Sequence, residues 1–176
     1  CEAGLPIVSE LLDLNSDYVS RFQEFNFDTI ISFNVMEHVE DDEKAFSQQI
    51  EILKKSKSKN PKRIVIFVPA HKWAFGSLDK AFGHYRRYSA RQIKSLFHRL
   101  DPKALVDAWY FNTLSLFGWL VMGKILRTSE FNTSALKTFE KICPYVRGID
   151  DFVHSNLQLP LGQSLLAVVT LSEEST

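Results

Sequence analysis

Glycine is scarce in this 176-residue chain, and scarcest where a nucleotide-binding fold would need it. Of the 7 glycines only Gly4 precedes Gly76, and G-x-G occurs nowhere. A strand-to-helix turn whose glycines let backbone approach a cofactor is therefore missing from the sequence. Cysteine is rarer still. Cys1 and Cys143 have no metal-ligand spacing and cannot build a disulfide framework, so a reduced, cytoplasmic setting is expected. Neither sign of charge is in excess: 21 basic residues balance 21 acidic ones. Nothing electrostatic recommends nucleic acid or an anionic membrane as the main partner, and no nucleic-acid partner is expected. The amino-terminal residues lack the basic, apolar and small-residue order of a leader. The first residue is Cys rather than Met, so a fragment, a processed chain or an incomplete gene product is expected.

What is present centres on residues 26–42. Thr29 to Phe33 is short, mostly apolar and partly β-branched, bounded by Asp28 and Asn34. That pattern predicts a buried strand of a parallel sheet. Ligands of open α/β sheets sit beyond the carboxyl ends of strands, which is where Asn34, Glu37 and His38 fall. Glu40 to Glu43 opens a helix to about Lys57, with acidic residues at its start and lysines at its end to suit the dipole. Ala45, Phe46, Gln49, Ile50 and Leu53 form its sheet-facing side. Arg63 to Val68 predicts a second buried strand, which delivers residues 70–76 to the same rim. Pro6 to Leu12 and Lys103 to Phe111 also read as strands, as does Ser164 to Leu171. Ser16 to Phe25 reads as a short helix. Ser89 should cap a helix running to about Arg99, with Ile93, Leu96, Phe97 and Leu100 buried.

His38 is placed to act as a general base, and its ordinary titration range suits the task. Glu37 would orient it or bond an acceptor; the plain alternative is a helix-start histidine that bonds backbone. In the run His84-Tyr85-Arg86-Arg87-Tyr88, two guanidiniums between phenols suggest a clamp for an anionic or polar acceptor, with His71 on the neighbouring rim. The structural alternative pairs Arg86 or Arg87 with Asp79 or with loop carbonyls. Thr113 to Leu126 is apolar nearly all round but too short, and interrupted by Lys124, for a spanning helix of about 20 residues. Buried packing, a lid over an apolar acceptor, and a helix lying in a membrane surface remain open for it. Ser134 to about His154 reads as helical, broken at Pro144. His98 and His154 read as structural.

Several spaced motifs together carry a family resemblance: FDTIISFNVMEHVEDDEKAF, then Val68-Pro69-Ala70, Gly76-Ser77-Leu78-Asp79-Lys80 and Gly83-His84-Tyr85-Arg86-Arg87-Tyr88-Ser89. They resemble class I S-adenosylmethionine-dependent methyltransferases of the type 11/12 kind, over most of Leu12 to Leu171. The resemblance implies an α/β fold: the carboxyl-terminal part of a Rossmann-like methyltransferase sheet, its last strand antiparallel and inserted beside the fifth. It makes residues 1–176 one domain, with a helical cap insertion at 112–163. It implies S-adenosylmethionine as cofactor, Asp13 at its adenine, and Asn34 with the Val35-Met36 backbone along its methionine part. His38 and Glu37 would then be catalytic, and His71, His84, Tyr85, Arg86 and Arg87 would bind a small-molecule or lipid-linked acceptor. Two strands, two helices and most of the cofactor cradle would lie outside this chain, so that it binds the cofactor poorly alone. Some relatives hold a divalent cation with E-x-x-E-H. Asn34 replaces their first Glu, so no metal is expected, though Glu37, His38 and His71 could form a weaker set. A non-catalytic remnant serving as an interaction module and a metal-dependent hydrolase are the alternatives.

Overall fold

Alternating burial along the strands explains why a sheet forms here. In β2 (Arg63–Pro69), Ile64, Ile66 and Val68 are fully buried while Val65 and Phe67 between them are half-buried. β4 (Ser164–Thr170) repeats the pattern with Leu165, Ala167 and Val169. Side chains two apart share a face, so both strands present one solid apolar side. The computed structural model describes residues 11–128, 141, 148 and 160–172. Within them β1 (Thr29–Phe33), β2, β3 (Leu105–Phe111) and β4 form a four-stranded sheet in the order β1-β2-β4-β3. β1 and β2 are parallel, with Phe33 opposite Phe67. β4 is antiparallel to both of its neighbours and lies between β2 and β3. The mixed α/β fold and the inserted antiparallel last strand match the expectation.

Helices α1 (Asp42–Lys55) and α3 (Ala90–Leu100) cover the buried side. Phe46 and Phe97 meet there at 5.0 Å between ring centroids, in one cluster with Leu53, Ile66 and Ala167. Asp41 caps α1 by accepting from the Lys44 amide, and Ser89 caps α3 by accepting from the Gln92 amide. Each cap satisfies a helix-start donor, which is why these helices begin where they do. On the opposite side of the sheet, among the described residues, Ile31 is 60% and Phe33 58% exposed.

Three expectations need correction. Residues 16–25 hold only a 3-10 turn, Val19–Phe22. Tyr18 is pinned beside it by its hydroxyl, which donates to the Ala45 carbonyl, and by its amide, which donates to Gln48. Leu11 and Leu12 are not in a strand, and the rest of Pro6 to Leu12 lies outside the described residues. The stretch 113–126 is not one buried helix. It splits into α4 (Thr113–Leu120) and a π-helical turn, Val121–Ile125. The cap helix expected from 134 to 154, and most of the 112–163 insertion, lie outside the described residues. Among the described residues no helix is long and apolar enough to cross a membrane.

Candidate functional site

The carboxyl ends of β1 and β2 are adjacent, held by the Asn34 amide donating to the Phe67 carbonyl at 2.8 Å. Asn34 adopts φ 49°, a left-handed turn that its short polar side chain tolerates. The chain thereby leaves the sheet and enters the 3-10 turn Met36–His38. That turn splits three neighbours by destination. Met36 goes fully into the core, Glu37 is buried at 1% exposure, and His38 faces solvent.

A second segment closes over this turn. Short helix α2 (Ser77–Ala81) ends in Gly83, at φ 72°, a conformation that favours glycine. The reversal sends residues 84–88 back along the end of β2, where Tyr88 bridges to Ala70. The Tyr85 amide donates to the Glu37 carbonyl at 2.8 Å, bringing His84 beside His38 with ring centroids 4.8 Å apart. A cavity of ≈ 370 Å³ opens here, lined by Asn34, Glu37, His38, His84, Phe82 and Trp119 among others.

Asp79 is the hub beneath the cavity. Fully buried, it accepts from Arg87 Nε at 2.6 Å, from Trp119 Nε1 at 3.1 Å and from the Gly76 amide at 2.8 Å. His84 Nδ1 lies 2.9 Å from the same carboxylate. Burial opposes its ionisation, but the bonds from His84 and Arg87 outweigh burial and hold its pKa below the ordinary value. Arg87 also donates to the Ala70 carbonyl at 3.0 Å and lies 4.6 Å from the Trp119 ring. The π-helical turn after α4 packs against this lattice because Gly76 lets it: a Cβ there would lie 2.7 Å from the Gly123 carbonyl oxygen.

Glu37 differs. Its Oε2 is buried without a hydrogen-bond partner, and burial raises its pKa. Buried polar atoms of native proteins are almost always paired, so an orphan facing a cavity marks a place where something can bind.

The remaining sequence candidates divide clearly. Arg87, at 1% exposure, forms the ion pair with Asp79 of the structural alternative, and it borders the same groove as Arg86. Arg86 pairs with Asp42 at 2.6 Å and donates to the Glu40 carbonyl, beside a separate groove of ≈ 600 Å³ that Tyr85 also lines. Tyr85 is 54% exposed. His71 lies apart from this cluster. It is 7% exposed, stacks on Tyr110 at 4.7 Å, and its Nε2 accepts from the Gly162 amide at 3.4 Å. It lines neither cavity, and burial lowers its pKa. The side chain of Met36 is core, and its carbonyl accepts from the Tyr88 hydroxyl. Val35 is 39% exposed at the rim. Asp13 sits in an exposed turn, accepting from the Asn15 amide at 2.9 Å. His98 is exposed on α3, its Nδ1 2.7 Å from the Lys94 carbonyl.

Sequence reasoning missed Asp79 as the hub, Trp119 in the cavity wall, and the meeting of His84 with Glu37 and His38. The one signal for that meeting was Gly83, whose freedom to reverse the chain decides where His84 goes.

No protein-family model matches the chain, and no curated protein does. Among solved structures, a SAM dependent methyltransferase from Archaeoglobus fulgidus is similar at 15% identity and a TM-score of 0.45, over 97% of this chain and 69% of that one.

Proposed function

We propose that this chain carries the acceptor side of an S-adenosylmethionine-dependent methyl-transfer site, working on a small-molecule or lipid-linked acceptor. The observation that carries the reading is the cavity at the carboxyl ends of the parallel pair, where Asn34, Glu37, His38 and His84 converge. The inserted antiparallel β4 supports it, since the motif resemblance implies that strand order.

The residues fit one end of the cofactor. Asn34 and the Val35 backbone stand at the rim beside an orphaned buried carboxylate, where a methionine moiety would be held. The Asp13 carboxylate is turned to Asn15, and no G-x-G lets backbone approach the rest of the cofactor. When bound, the sulfonium supplies an electrophilic methyl group. This chain's part is to align an acceptor and take its proton. His38 does the second: its Nδ1 lies 3.3 Å from the Gly83 carbonyl, which as acceptor holds the proton there and leaves Nε2 to receive one. His84, fixed by Asp79, orients the acceptor. The lipid-linked option draws on α4 and the turn after it. Leu114, Phe117, Val121 and Ile125 make an exposed stripe at 38%, 57%, 45% and 73%, a surface on which an acyl chain or a membrane interface fits.

Calorimetry with S-adenosylmethionine tests the reading, on residues 1–176 and on the same chain within its native flanking sequence. Binding in the longer form, with turnover reduced about 10²–10⁴-fold in His38→Ala and cofactor affinity little changed, is expected. An unchanged rate would remove His38 from the mechanism. No binding in either form would favour the non-catalytic interaction module.

A further inference from the structure

We propose that Glu37, His38 and His84 form a divalent-cation site with zinc-type ligand chemistry, opening onto the cavity above them. Their donor atoms all lie within 4.8 Å of one another. Donors on a tetrahedral ion with bonds of about 2.0 Å stand on the order of 3.3 Å apart, so a small inward swing of exposed His38 completes the set. Two imidazoles with one carboxylate suit zinc, and also iron or cobalt, better than magnesium.

Proximity is not the main argument. Metal-bound histidines characteristically give their other ring nitrogen to a carboxylate or a carbonyl, which fixes the tautomer and aims the free nitrogen at the ion. Both histidines are arranged so. His84 Nδ1 lies 2.9 Å from Asp79, and His38 Nδ1 lies 3.3 Å from the Gly83 carbonyl, leaving both Nε2 atoms for a ligand. Glu37 adds the independent sign: at 1% exposure it lines the cavity with Oε2 unpartnered. The charges agree. Glu37 and Asp79 against Arg87 leave the cluster one negative charge before any ion enters.

The site does not depend on methyl transfer. If both operated together, His38 Nε2 would hold the ion and could not act as base; the cation would instead acidify the acceptor hydroxyl, whose proton would pass to water. His71, the third ligand expected from the sequence, is stacked on Tyr110 outside this set, and His84 takes its role.

The test uses chain stripped with a chelator and titrated with Co²⁺, then with Zn²⁺ in competition. One equivalent is expected, with visible d–d absorption and no thiolate charge-transfer band; such a band would assign the ion to Cys1 or Cys143 and overturn the site. His38→Ala and His84→Ala should each weaken binding by at least 10-fold, and Glu37→Gln should do the same. His98→Ala, on exposed α3, should leave it unchanged. Because His38 is exposed, its variant tests the site without touching the core. Absence of a stoichiometric complex, or equal affinity in the double variant His38→Ala with His84→Ala, would overturn the proposal. Chelation that abolishes Co²⁺ absorption while leaving S-adenosylmethionine binding intact would separate this site from the proposed function.

Discussion

Glu37 and Asp79 are both buried carboxylates beside His84, yet their pKa values move in opposite directions. Asp79 spends its lone pairs on Arg87, Trp119, Gly76 and His84, and its ionised form is favoured. Glu37 meets burial with one oxygen unpartnered, and its ionised form is disfavoured. A carboxylate whose two oxygens are both satisfied is architecture. One left open toward a cavity is a candidate for chemistry, and neighbouring titratable groups pushed apart in this way mark acid, base or ligand roles.

The largest expected effect breaks the closed half. Arg87→Met leaves Asp79 buried without its guanidinium and should cost about 3–5 kcal/mol in urea unfolding at pH 7. A loss under about 1 kcal/mol would show that Asp79 draws its support elsewhere. Next comes the open half, measured in chelator. Because burial raises the folded pKa of Glu37, its charge costs stability at neutral pH, and the cost fades as pH falls through the folded value toward the unfolded one of about 4.3. Glu37→Gln should therefore gain about 1 kcal/mol at pH 7 and nothing below pH 4, read from urea midpoints. Asp79 has the opposite sign: its lowered pKa contributes stability present above the unfolded value of about 3.9 and lost as pH falls through the folded one. The smallest effect separates the adjacent arginines. Arg86 is partly exposed beside Asp42, so Arg86→Ala should cost only about 0–1 kcal/mol. Equal losses from Arg86→Ala and Arg87→Met would erase the distinction between groove and scaffold.

Much of the frame was legible in the residues. The runs 29–33, 63–69, 105–111 and 164–170 carry strand patterning strong enough to place them. Ala45, Phe46, Ile50 and Leu53 on α1, and Ile93 with Phe97 on α3, are buried as their spacing requires. The site was less legible. Glu37 and His38 announced the rim, but the adjacent Arg86 and Arg87 look alike in sequence and go to opposite fates. Residues 113–126 misled for a related reason. An apolar stretch specifies burial only when a partner surface exists, and here Gly76 admits the Gly123 turn while Phe117 and Ile125 stay exposed.

The chain's own order of apolar and polar residues determined the strands, the capped helices and the place where polar groups leave the sheet, because these follow from short-range periodicity and capping. Which polar groups satisfy one another was decided only in three dimensions. Trp119 lies 40 positions from Asp79, and the reversal at Gly83 brings His84 to Glu37 across 47 positions of sequence, a distance no local pattern can encode.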